Sequence, residues 1–379
     1  MTNFILSIFI KSLNLESSPK KARNANFLSY NYYIIDLLTN IYRKGDIIVK
    51  KNFLYLLLVF IFIFSGCSKS QDVKSVETSA QTINETIEAT SLKQNLLKEP
   101  IKQDITITLP PSYQSSKKKY PVVYFYHGFG DTNTALSTNS DTLRKQMLQK
   151  GMKEFIIVEP NISNVLNGSF GVNSTTTGNW EDYITKDVIN YVDEKYRTIR
   201  SADSRAISGF SMGGFVAINI GLKHPKLFSL VYALSPGLFD EQGLKDAMTT
   251  WDGSFLNAYA AAFSPNPKLE TPFGNTPKFD NTSSDKKIVE EWENGFGNLK
   301  NKIQNYQSLN KPLTAINITY GDSDNYTWII NGCKYFSKIA NEAGIKIELE
   351  VNPGCGHSID PSFTSKKCVE FFSKYFPNT

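Results

Sequence analysis

From about residue 100 onward, short apolar runs alternate with segments of helical spacing. Residues 105–109 read Ile-Thr-Ile-Thr-Leu, the two-residue period of a half-exposed strand, and Pro110-Pro111 ends it. Residues 120–126, Tyr-Pro-Val-Val-Tyr-Phe-Tyr, predict a buried strand that runs into His127-Gly128-Phe129-Gly130. Residues 155–158, 205–208, 230–234, 315–320 and 346–351 predict further strands. Between them, 180–196 carries Trp180, Tyr183, Ile184, Val188, Tyr191 and Val192 at helical spacing, and 212–223, 327–343 and 363–376 also read as helices. Repeated strand–helix alternation predicts an α/β fold, a mostly parallel sheet with helices on both faces.

Residues 240–310 break this rhythm. The stretch is too long for an ordinary connection between strands. It carries Trp251, Phe255, Tyr259, Phe263, Phe273, Phe279, Trp292 and Phe296 among many polar residues. It reads as an insertion over the active site, with most aromatics forming its own small core and one or two lining the cleft.

The first hundred residues have a different character. Residues 53–65 form a compact apolar run behind Lys50-Lys51, followed by Gly66-Cys67. A membrane-spanning helix needs about 20 apolar residues, so this run is short for one. A charged start, a compact apolar centre and a small-residue end describe an export signal. Phe64-Ser65-Gly66-Cys67 resembles a bacterial lipobox with Phe in place of the usual Leu, in which Cys67 would be lipidated and become the new N-terminus. Residues 49–67 are therefore expected to be a lipoprotein signal peptide, with extracytoplasmic anchoring to the cell membrane. Residues 1–48 then read as an over-extended start or a disordered segment. Lys44-Gly45-Asp46 can be encoded with a ribosome-binding sequence, and Val49 by GTG; genomic codons lacking that sequence would overturn the reading. Residues 68–99 are rich in Ser, Thr, Lys, Glu and Gln and read as a polar tether, with room for a short helix around 83–98. Residues 100–379 form the expected catalytic domain.

The chain has 379 residues, 41% of them hydrophobic, enough for a sizeable core. Its net charge of +5 is spread over 41 basic and 36 acidic residues, with no long basic run beyond the N-terminal region, so nucleic acid is not implied as a partner. Beyond Cys67 three cysteines remain, Cys333, Cys355 and Cys368, an odd number that implies no full disulfide framework. No dinucleotide fingerprint, P-loop or zinc-ligand spacing is present, so no cofactor and no metal is expected.

Gly209-Phe210-Ser211-Met212-Gly213 lies between a predicted strand and a predicted helix, the setting of a nucleophile elbow. The sharp turn brings the residues two before and two after the serine together, and only small side chains fit there. Ser211 is the candidate nucleophile. Serine needs a general base, and the chain has three histidines. His127 ends a strand before a Gly-rich loop. His224 stands where a helix ends, in Lys223-His224-Pro225. His357 follows the last strand in Gly354-Cys355-Gly356-His357, on a loop that glycines let bend back toward the elbow, and is the chosen base. Chain order in elbow enzymes is Ser, then Asp or Glu, then His. Gly321-Asp322-Ser323-Asp324-Asn325 follows a strand and supplies the acid: Asp324, with Asp322 in reserve. An EF-hand reading of this loop fails, because Tyr326, Thr327 and Cys333 occupy its fifth, sixth and twelfth positions. An oxyanion hole would take the backbone N–H of Met212 and, from the loop after His127, that of Phe129, whose side chain would be incidental.

Together these residues resemble the esterase D-like family of α/β-hydrolases, which includes feruloyl esterases, S-formylglutathione hydrolases, enterochelin-type esterases and mycolyltransferases. The resemblance spans about residues 100–376. It rests on Leu-Pro-Pro-Ser-Tyr (109–113), Tyr-Pro-Val-Val-Tyr (120–124), His127-Gly128, Trp180-Glu181-Asp182, Gly-Phe-Ser-Met-Gly-Gly (209–214) and Lys223-His224-Pro225. It implies Ser211 as nucleophile, favours Asp324 over Asp322 through the match to Gly321 and Asp324, and matches His357 as base. It is most similar to the extracellular feruloyl- or xylan-esterase-like members. The implied activity is a serine carboxylesterase acting on an acyl ester, with feruloyl or acetyl groups on polysaccharide as the first expectation. The 240–310 insertion departs from the family pattern. An acyltransferase of the mycolyltransferase type and a non-catalytic surface-binding lipoprotein are the competing readings.

Overall fold

The computed structural model describes residues 82–378. In chain order its elements begin with β1 (Thr82–Glu88), β2 (Lys102–Thr108), β3 (Val122–Tyr126), α1 (Ser140–Met147) and β4 (Ile156–Pro160). A small hairpin follows, β5 (Asn173–Ser174) and β6 (Gly178–Asn179). Trp180–Asp182, a π-helical Tyr183–Val188 and Ile189–Lys195 then run on as one helix, α2. Next come β7 (Arg205–Phe210), α3 (Met212–Lys223) and β8 (Leu230–Leu234). Four helices fill the 240–310 stretch: α4 (Gly243–Thr250), α5 (Gly253–Phe263), α6 (Ser283–Gly295) and α7 (Leu299–Ser308). The chain closes with β9 (Ala315–Gly321), α8 (Thr327–Glu342), β10 (Ile347–Asn352) and α9 (Pro361–Tyr375).

Eight strands form one sheet in the order β1-β2-β4-β3-β7-β8-β9-β10. The β1–β2 and β2–β4 pairs are antiparallel, and the pairs from β4 through β3, β7, β8 and β9 to β10 are parallel. The expected mostly parallel α/β sheet is therefore present. β3 explains why both faces need cover. Val122, Tyr124 and Tyr126 belong to one hydrophobic layer, and Val123 and Phe125 to the other, so its two-residue period feeds both cores. α2 and α3 contribute to the first layer, α1 and α9 to the second. α3 is apolar nearly all round and lies over β7, β8 and β3, buried from Met212 to Leu222.

The tether expected over 68–99 is corrected for its second half. Thr82–Glu88 is a strand, paired residue for residue with β2, and not a helix. Its Ile87, with Ala89 and Leu92 just beyond, sits inside the main core. The stretch reads as polar because β1 is an edge strand with one covered face, so most of its side chains meet solvent. Residues 1–81, with the expected signal peptide and Cys67, lie outside the described residues.

Candidate active site

β7 ends at Phe210 and α3 begins at Met212, so Ser211 is the whole of the turn between them. Its backbone is forced to φ 55° and ψ −114°, a left-handed conformation that costs a non-glycine residue about 1–3 kcal/mol. Three hydrogen bonds hold it there: Ser211 N–H to the Leu234 carbonyl at 2.9 Å, and the Ser211 carbonyl accepting from Phe215 N–H at 3.0 Å and Gly237 N–H at 2.9 Å. The flanking glycines are needed for space. A Cβ on Gly209 would stand 2.3 Å from the Gly213 carbonyl oxygen, and one on Gly213 would stand 1.9 Å from that of Tyr126.

The other two candidate side chains arrive on the loops after β9 and β10, beyond β8 in the sheet. His357 Nε2 is 2.9 Å from Ser211 Oγ, and His357 Nδ1 is 2.7 Å from Asp324 Oδ2. Asp324 is buried, and its Oδ1 accepts the Tyr326 N–H at 2.8 Å, so both carboxylate oxygens are engaged. Asp322 does something else. It is exposed, and its Oδ1 accepts from Gly354 N–H at 2.7 Å, tying the loop after β9 to the loop that carries His357. The His357 ring is clasped between Phe210, centroids 4.7 Å apart, and Tyr326, edge-on at 4.8 Å. Neither aromatic is singled out by sequence pattern as a histidine support; only the folded loops bring them there. Cys355, nearby in sequence, lies beside Ser358 and takes no part in this chain of bonds.

His127 is buried at the root of the opposite loop. Its Nε2 accepts the Ile162 N–H at 3.0 Å, so Nδ1 carries the proton and donates it to the Gly128 carbonyl at 2.8 Å. Burial pushes its pKa below the usual imidazole value, keeping the ring neutral. Fixing the Gly128 carbonyl fixes the other end of the same planar peptide, the N–H of Phe129. Across the site, Met212 N–H opens the first turn of α3, where a helix leaves its N–H groups without intrahelical partners and its dipole favours negative charge. His224, the third histidine, pairs with Glu181 Oε1 at 2.8 Å, and Lys223 reaches Glu181 Oε2 at 2.8 Å. That cluster unites the Trp180-Glu181-Asp182 and Lys223-His224-Pro225 motifs as a brace between α2 and α3. Burial raises the Glu181 pKa, but hydrogen bonds from His224 and Lys223 outweigh it and draw the value down to about 2.

Above Ser211 lies a cavity of about 360 Å³. Phe129, Phe170 and Phe210 wall it from the sheet side, and Trp251, Phe255, Tyr259 and Phe296 from the insertion. Four insertion aromatics line the cleft, more than the one or two expected. Trp292, fully buried, stacks on Tyr259 and joins the same hydrophobic layer as α2 and α3, so the insertion's buried aromatics extend the main core and do not form the separate small core expected. Phe255, Tyr259 and Phe263 are spaced every four residues on one stripe of α5, and Trp251, four residues before Phe255, stands just ahead of the helix; that period was the available signal. The Phe129 side chain, expected to be incidental to oxyanion binding, has a packing role: its ring stacks on Phe255 at 4.3 Å and joins the loop after β3 to the insertion. Asp131 and Asp252, both exposed, stand at the rim.

The Esterase family profile matches residues 97–306, more than half of the chain. The chain belongs to this esterase family. It is 33% identical over 126 residues to esterase Rv1288 of Mycobacterium tuberculosis (strain ATCC 25618 / H37Rv), covering 32% of this chain and 26% of that protein. It is 28% identical over 153 residues to the endo-1,4-beta-xylanase/feruloyl esterase of Xylanibacter ruminicola, covering 38% of this chain and 21% of that one. The match thus spans about a quarter of these relatives' length. Among solved structures, a ferulic acid esterase superposes with a TM-score of 0.55 at 23% identity over 79% of this chain and 99% of its own. The S-formylglutathione hydrolase FrmB from Staphylococcus aureus gives 0.52 at 16% identity over 78% and 99%. At such identities the likeness establishes the fold, that of the α/β-hydrolases.

Proposed function

We propose that the protein is a serine carboxylesterase working through Ser211, His357 and Asp324. The observation that carries this reading is the unbroken chain from Ser211 Oγ through His357 to the buried Asp324 carboxylate, at 2.9 and 2.7 Å. Ser211 Oγ attacks the ester carbonyl carbon as His357 Nε2 takes the hydroxyl proton. The carbonyl oxygen becomes an oxyanion held by the N–H groups of Met212 and Phe129. Asp324 keeps the Nδ1–H tautomer and stabilises the imidazolium. Collapse expels the alcohol, which takes the proton from His357 and leaves an acyl-serine. Water then attacks the acyl carbon while giving a proton to His357, and as the second intermediate collapses that proton passes to Ser211 Oγ, releasing the carboxylic acid and free Ser211.

The aromatic walls favour a flat, apolar acyl group over acetyl. The two rim carboxylates disfavour esters that carry negative charge; the N–H of Ser254 holds the Asp252 pKa below the usual carboxylate value. A feruloyl-type ester of a neutral saccharide fits both features. We also read Cys67 as the lipid-bearing residue of an extracytoplasmic enzyme, supported by the lipobox-like Phe64-Ser65-Gly66-Cys67. Metabolic labelling with a fatty-acid analogue is expected to mark the wild-type chain and not Cys67→Ser; equal labelling of both would refute the anchor.

The substrate reading is tested with methyl ferulate, acetylated xylan and p-nitrophenyl acetate side by side. The highest kcat/KM is expected for methyl ferulate; a preference for acetyl esters would overturn the aromatic-acyl assignment. His127→Ala frees the peptide that presents the Phe129 N–H. Loss of part of an oxyanion donor's alignment is expected to lower kcat about tenfold, against the roughly 10²–10³ for complete removal of one donor. An unchanged kcat would remove His127 from that role.

A further inference from the structure

Resting on the esterase reading above, we infer that the Tyr259 hydroxyl recognises a polar substituent on the far end of an aromatic acyl group. Tyr259 is 3% exposed and lines the cavity above Ser211. Its hydroxyl has no hydrogen-bond partner among the described residues, and burial alone raises its pKa well above the ordinary phenol value, so it remains a neutral donor. The phenols of Tyr124, Tyr126 and Tyr183 are also unpartnered, but they are sealed inside the core. The Tyr259 hydroxyl is not among these sealed atoms, and the residue lines the cavity. A ligand whose polar group pairs with this hydroxyl leaves neither group unsatisfied, whereas an apolar ligand covering it would leave the hydroxyl without a partner.

The position suits the far end of a flat acyl chain. Gly237 stands at the serine: a Cβ placed on it would lie 3.6 Å from the Ser211 carbonyl oxygen and 3.4 Å from the edge of Phe296. Tyr259 lies one ring further on, edge-on to Phe296 with centroids 4.9 Å apart. Behind it Trp292 stacks at 5.6 Å, so the phenol is held in one orientation. An acyl group with its carbonyl at Ser211 and its ring along Phe296 would bring a ring hydroxyl or methoxy to Tyr259. The hydroxyl can donate to either substituent and can also accept from a hydroxyl. The insertion thereby sets acyl specificity through one group as well as through shape.

The test compares kcat/KM for methyl 4-hydroxycinnamate and methyl cinnamate in wild type and in Tyr259→Phe. The wild type is expected to prefer the hydroxylated ester by about tenfold, in the manner of a site built to hydrogen-bond one substituent. Tyr259→Phe is expected to bring that ratio close to one, chiefly through loss on the hydroxylated ester. An equal fall on both esters, or an unchanged ratio, would overturn the assignment. Equilibrium binding of the two esters to Ser211→Ala and to Ser211→Ala with Tyr259→Phe gives a second reading free of turnover, and the same change in preference is expected. If Ser211→Ala still hydrolyses either ester, the serine-esterase reading itself fails, a result separate from any effect of Tyr259.

Discussion

Replacing Ser211 with Ala is expected to lower kcat for p-nitrophenyl acetate by about 10⁶-fold, the scale seen when the nucleophile of a serine hydrolase is removed. The Ser211 hydroxyl stands 2.9 Å from His357 Nε2, the placement the proposed proton transfer needs. Stability should change little. The hydroxyl is a minor part of the packing, and the backbone strain at φ 55° is the same for Ala. The discriminating measurements are single-turnover kinetics with labelling by a fluorophosphonate probe, alongside thermal melting. Activity within tenfold of wild type in a folded Ser211→Ala protein would refute the mechanism. So would undiminished probe labelling, which would place the nucleophile elsewhere.

The second large effect concerns stability. Glu159, on β4, is 1% exposed. Its Oε1 accepts the Leu136 N–H at 2.7 Å, while Oε2 is sealed off without a partner. Burial pushes its pKa up to about 7, with backbone N–H groups of Leu136 and Ser137 only partly offsetting it. In the unfolded chain the carboxyl returns to 4.5. Between 4.5 and about 7 the folded protein holds the proton and the unfolded chain does not. Stability contributed by the neutral acid is thus present at low pH and lost as pH rises through that window. The difference corresponds to about 3 kcal/mol. Glu159→Gln keeps the shape and cannot ionise. Its stability relative to wild type, from denaturant melts, is expected to rise by about 3 kcal/mol between pH 4.5 and pH 8. Any fixed cost of the amide is the same at both pH values and drops out. A difference that stays constant with pH would show that Glu159 does not carry this titration.

Much of the sheet was legible because its strands are apolar and its central helices are amphipathic or buried. The spans 212–223 and 230–234 coincide with α3 and β8. Ser211, His357 and Asp324 could be picked out because chain order, three histidines and a glycine-flanked serine left few combinations. β1 was not legible. Ile83 and Ile87 stand four apart, a spacing that serves a helix and an edge strand alike, and what decides between them is pairing with β2, a non-local contact. α1 was missed because it is short and mostly polar, with Leu143 and Met147 as its buried apolar residues. In the insertion, the polar background hid four helices. The aromatic stripe from Trp251 to Phe263 was present in the spacing, but which faces looked onto the serine depended on how α5 meets the loop bearing Phe129. Phe210 and Tyr326 show the same limit, since their ring contacts with His357 join segments far apart in the chain.

The early start of the folded domain bears on where the enzyme can work. If Cys67 holds the lipid, residues 68–81 alone separate it from Thr82, where β1 begins. Fourteen residues, stretched to the limit, reach about 50 Å, against about 110 Å for the 32 residues of a tether running from 68 to 99. On that reading β1 would begin within about 50 Å of the lipid surface. With the proposed polysaccharide ester as substrate, intact insoluble polymer would then be reached only where the cell touches the material, and soluble fragments would have to arrive by diffusion.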